Sequence, residues 1–139
     1  MLVFPVGTCK ILVARKNPLA EWKEMNQEQL ELFEMIVDDA GMSIDYWADT
    51  AEHNAGKQTY QVTLLPDCVD ETAGVVDKTI TYQDLLDATR KLASGEVKVN
   101  PTTKSVCQAI MSDPSDVDYD ATDTDVIVQV AMFGEIVFG

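Results

Sequence analysis

The sequence predicts a small α+β domain, four to five helices with a short antiparallel sheet, as a single acidic globular domain over residues 1–139. Three observations predict it. Asn-Pro and Ser/Thr/Asp starts paired with closing glycines mark helix ends at several places. Between them, apolar residues recur at helical spacing. One stretch, "QTYQVTLLP", instead alternates Tyr60, Val62 and Leu64 with polar neighbours, as a half-buried strand does. Hydrophobic residues make up 46% of the chain, enough to form a core and to argue against disorder throughout. A seam, if the chain has one, falls near residues 55–58.

Residues 2–4 and 10–15 read as short strands, "KILVAR" the better of the two. A long helix follows, with Asn17 as N-cap, Pro18 at its first position and Gly41 at its end. Leu19, Trp22, Met25, Leu30, Phe33, Ile36, Val37 and Ala40 share its inner face, with Glu24, Glu28, Glu31, Glu34 and Asp38 opposite. "SIDYWADTAEHNAG" reads as a shorter second helix, because Ile44, Trp47, Ala48 and Ala51 recur at helical spacing. Pro66 ends the strand of "QTYQVTLLP", and "DCVDETAGVVD" is a loop or hairpin tip.

The next helix starts at Thr81, where Asp84 completes a capping box, carries Leu85, Leu86, Thr89 and Leu92 inward, and closes at Gly95. "NPTTKSVCQAIMSDP" repeats the Asn-Pro start, turns Val106, Ala109 and Ile110 inward, and stops at Pro114. The ending pulls both ways. Val126, Ile127, Val128 and Val130 favour a strand. The aspartates before them favour a helix N-terminus, and Gly134 suits its C-cap. The expectation is a helix from about 121 to 132.

Charge dominates the composition: 24 acids face 10 bases, a formal net charge of −14. Phosphate backbones repel such a surface, which argues against direct nucleic-acid binding. Basic proteins are attracted to it, including those that hold nucleic acid themselves. Solubility alone is the competing explanation. No run of about 18 apolar residues is present to span a membrane. The apolar start places its bases after the apolar part, the reverse of a secretory signal, and so reads as structure. Cys9, Cys68 and Cys107 lie far apart without C-x-x-C spacing, which fits buried or inert reduced thiols.

"DPSDVDYDATDTDV", residues 113–126, invites a calcium loop. Counted from Asp116, the oxygen donors Asp118, Asp120, Thr122 and Thr124 fall well, but Ala121 stands where the loop needs glycine and Ile127 where it needs glutamate. No metal ligand set and no cofactor site is expected. No catalytic residue is expected either: His53 is the one histidine, and neither a G-x-S-x-G motif nor a glycine-rich phosphate loop occurs.

What remains is carboxylate arrays. Helical turns rise about 5.4 Å, a scale similar to the phosphate repeat of a DNA strand, so acids on a rigid helix fit a groove built for phosphates. Arginines and lysines there would meet them in charge-assisted hydrogen bonds. An ordinary exposed helix face mixes Glu with Lys at i,i+4, yet Lys23 is the only base between residues 17 and 40. The partner-binding candidates are Glu24, Glu28, Glu31, Glu34 and Asp38, with Asp116, Asp118, Asp120, Asp123 and Asp125.

The ending "DTDVIVQVAMFGEIVFG", with "TYQVTLLPD" upstream, resembles small proteins of phages and prophages. Small acidic non-catalytic phage proteins are in turn similar to anti-defence inhibitors of the anti-CRISPR and anti-restriction types, several of which imitate nucleic acid. The resemblance implies an inhibitor in the host cytoplasm whose partner is a basic host protein or ribonucleoprotein complex. It carries over no residue roles, since those families share no motif. A virion structural or assembly protein, with an apolar interface and acids for solubility, is the alternative. Oligomeric state is left open.

Overall fold

The computed structural model describes residues 25–139. The expected strands at 2–4 and 10–15, and Asn17, Pro18, Leu19, Trp22 and Glu24 of the expected first helix, lie outside the described residues. Within them, helix α1 (Gln27–Ser43) is followed by strands β1 (Ala48–Asn54) and β2 (Thr59–Leu64), a 3-10 turn (Pro66–Thr72) and β3 (Asp77–Thr81). Helices α2 (Tyr82–Ser94), α3 (Pro101–Ser112) and α4 (Ala121–Phe133) complete the fold, with a second 3-10 turn at Pro114–Asp116. The sheet is antiparallel in the order β1-β2-β3. This is the α+β architecture the sequence predicts.

α1 starts later than expected. Asn26 is non-helical, accepts the Gln29 amide at 2.8 Å, and receives the Gln29 side chain on its own N–H at 3.2 Å. This reciprocal cap satisfies two orphan donors and starts α1 at Gln27. Gly41 does not end the helix, which runs on to Ser43. Phe33, Ile36, Val37 and Ala40 are buried as expected, joined by Leu32 and Gln29.

The helix expected over "SIDYWADTAEHNAG" is not formed. Ala48–Asn54 is an extended strand, with Ala51 opposite Val62 and His53 opposite Tyr60. Pairing with β2 satisfies the backbone in place of helical bonds, and local helical spacing yields to it. Residues 55–58 are the turn of this β1–β2 hairpin, with Gln58 N–H bonded to Ala55 C=O at 3.2 Å. β3, whose Tyr60–Ile80 pairing lies over the core, was not expected as a strand.

The later helices keep their expected caps. Thr81 and Asp84 form the reciprocal box of α2, and Asn100 accepts the Thr103 amide ahead of Pro101 in α3. α4 is capped by Asp120 and closes at Gly134, whose φ of 79° belongs to glycine's left-handed region. Val126, Ile127, Val128 and Val130 are all buried, because α4 packs against α1 and α2 and is enclosed nearly all round. Trp47, Tyr60, Tyr82, Phe33, Leu85 and Ile127 are the largest pieces of one core. The C-terminal tail is tied into it. Gln129 Oε1 accepts the Val137 and Phe138 amides, each at 2.8 Å, and the Phe138 ring stacks on Trp47 at 5.4 Å.

Candidate partner-binding surface

With about 100° per residue, the side of α1 away from the core carries, in angular order, Glu34, Asp38, Glu31, Met42, Met35, Glu28 and Asp39. Glu28, Glu31 and Asp38 are exposed and Glu34 is half-buried. No lysine or arginine occurs from Met25 to Gly56, so α1 itself contributes no lysine or arginine to this ridge. Two methionines interrupt the acids. Met35 is 55% exposed and Met42 85%, one above the other two turns apart. Sequence reading missed them because they lie outside the apolar arc that defines the core; their place in the acidic arc was the available signal.

The aspartate run divides by role. Asp116 and Asp118 are exposed. Asp120 caps α4, its Oδ1 accepting the Asp123 amide at 3.1 Å. Asp123 is only 2% exposed and accepts the Thr103 hydroxyl at 2.7 Å and the Asp120 amide at 2.9 Å. Asp125 is half-buried and accepts from the Tyr46 hydroxyl at 2.6 Å, the Trp47 indole N–H at 2.9 Å and Gln129 Nε2 at 2.9 Å. Asp123 and Asp125 therefore hold the fold together, and Asp123 is withdrawn from any outer surface. Glu24 lies outside the described residues.

The exposed part of the run lies beside α1. The Tyr119 hydroxyl donates to Asp39 Oδ2 at 2.6 Å, which brings Asp118 and Asp120 to that edge of the ridge. The Ser43 and Thr124 hydroxyls meet at 2.8 Å, and the Pro114–Asp116 turn packs on α1 and α3. Burial, together with the Asp39 bond and charge, raises the Tyr119 phenol above its ordinary value, so it stays a donor. The acids of α1 and of the 116–120 segment thus border one another.

On the opposite edge, His53 Nδ1 is hydrogen-bonded to Asp38 Oδ1 at 2.8 Å, and its Nε2 is hydrogen-bonded to the Tyr82 hydroxyl. His53, in the stretch expected to be the second helix, lies on β1, with both ring nitrogens hydrogen-bonded. Burial pushes the Tyr82 phenol up to about 12, with Glu34 and Asp38 adding to it. Cys107 is buried, and its thiol is pushed up to about 12 by burial and by Asp123, a poor state for reactivity.

Among the described residues, no three His, Cys, Asp or Glu side chains converge as a metal-holding group. No helix among them is long and apolar enough to cross a membrane. No protein-family model, curated protein or solved structure matches the chain.

Proposed function

We propose that this chain is a non-catalytic inhibitor of a phage or other mobile element, acting without a cofactor in the host cytoplasm. It binds a basic, nucleic-acid-handling host defence complex of CRISPR-Cas or restriction type. There it covers the surface that nucleic acid would occupy, with carboxylates standing in for phosphates. One observation carries this reading: the outer face of α1 combines acids, no base and two exposed methionines. Met35 and Met42, 55% and 85% exposed, give this face apolar contact area between its acids. An interface uses it, since methionine adapts to irregular partner surfaces while carboxylates set orientation and encounter rate.

The test is binding of the purified protein to a CRISPR surveillance complex and to a restriction enzyme at rising salt. Affinity should fall steeply with salt; affinity indifferent to salt sinks the mimicry. The same exposed methionines, with Tyr46 at 48% exposure, support a second reading as an assembly protein with an apolar self-interface. A stable homo-oligomer in sedimentation that ignores basic partners selects that reading instead.

A further inference from the structure

The acidic face has a concave feature among the described residues, and its chemistry points to a ligand class. An open cleft of about 310 Å³ lies between the C-terminal end of α1 and the start of α4. That is the small end of the roughly 300–1,000 Å³ range of ligand clefts and suits one side chain better than a cofactor. Met42 and Tyr119 line it, with Asp39 and Asp120 beside them. Its walls are pinned by the Tyr119–Asp39 bond at 2.6 Å and the Ser43–Thr124 bond at 2.8 Å. Each carboxylate has one oxygen engaged: Asp39 Oδ2 by Tyr119 and Asp120 Oδ1 by the Asp123 amide. Asp39 Oδ1 and Asp120 Oδ2 accept nothing from the described residues.

A second observation concerns the helix ends that meet there. The C-terminal end of α1 carries negative partial charge and ordinarily attracts a lysine or arginine. Its last turn holds no base, and Asp38 and Asp39 stand about one turn away, where they add repulsion. The positive start of α4 is already met by the Asp120–Asp123 capping box. Among the described residues that line the cleft there is no lysine or arginine, so the local field favours a cation there.

Arginine fits better than lysine. A guanidinium stacks flat on an aromatic ring and its fork reaches two separate acceptors, whereas an ammonium is compact and holds its water. We infer that this cleft takes one arginine side chain of the partner protein as the anchor of the interface. This rests on the reading of α1 as a partner-binding face.

The experiment compares labelled nona-arginine and nona-lysine peptides by fluorescence anisotropy at one low ionic strength. The native chain should bind nona-arginine about tenfold more tightly, the size of a stacking contribution of this kind. Met42→Lys sets the chain's own cation at the cleft mouth, and Asp39→Asn keeps an acceptor for Tyr119 while removing the charge. Both should bring the ratio close to one. Glu28→Gln, away from the cleft, should weaken both peptides alike and keep the ratio. Melting curves establish which variants fold, and either cleft variant alone decides the question. A ratio near one in the native chain, or one unchanged in the folded cleft variants, overturns the arginine site and leaves the acidic-face reading standing. Binding of neither peptide overturns both.

Discussion

Tyr119 donates its hydroxyl to Asp39 Oδ2 at 2.6 Å, linking positions 80 residues apart. The bond makes neighbours of two acidic segments that sequence could only place separately. Tyr119→Phe keeps the ring and removes the bond, so it should cost about 1 kcal/mol in urea unfolding, a typical net value for one hydrogen bond. A variant as stable as the native chain shows that the loop is held by packing alone.

Asp125 and Asp116 look alike in sequence and should behave oppositely. Asp125→Ala strips the acceptor from Tyr46, Trp47 and Gln129. Leaving partly buried donors without a partner should cost about 2–3 kcal/mol. Asp116 is exposed, and Asp116→Ala should stay within about 0.5 kcal/mol of the native chain. Urea midpoints at constant slope measure both, and equal losses refute the division of roles.

Alkali should destabilise the protein through its buried phenols and thiol. Burial lifts the phenols of Tyr60 and Tyr82 from 10.0 to about 12 and the Cys107 thiol from 9.0 to about 12. Between those values the unfolded chain has released protons that the folded chain keeps, so stability falls as pH rises. The contribution is complete below about pH 9 and is lost progressively up to about pH 12. Melting temperatures should hold level near neutrality and drop across that window. A flat profile through it contradicts the burial of these groups.

Sequence legibility followed how local each determinant is. α2, α3 and α4 announce themselves through caps made by neighbouring residues, such as Thr81 with Asp84 and Asp120 with Asp123. β1 was illegible because it buries few of its side chains and shows no alternation; only its distant partner β2 makes it a strand. β3 merges in sequence with the start of α2 and carries one buried residue, Ile80. The acidic arc of α1 was legible from helical spacing, though Asn26 moved its start. That Asp123 would turn inward to Thr103 could not be read, since the pairing spans two helices. The contact of Tyr119 with Asp39 was hidden for the same reason.

The role proposed for the outer face of α1 is to replace nucleic acid on a basic partner. The most direct measurement is competition: a labelled duplex bound to a CRISPR surveillance complex or restriction enzyme is titrated with this protein and with a Glu28→Lys, Glu31→Lys, Asp38→Lys variant of confirmed fold. The account predicts that the native chain displaces the duplex near equimolar amounts and that the variant does not. Displacement by both alike, or by neither, contradicts it.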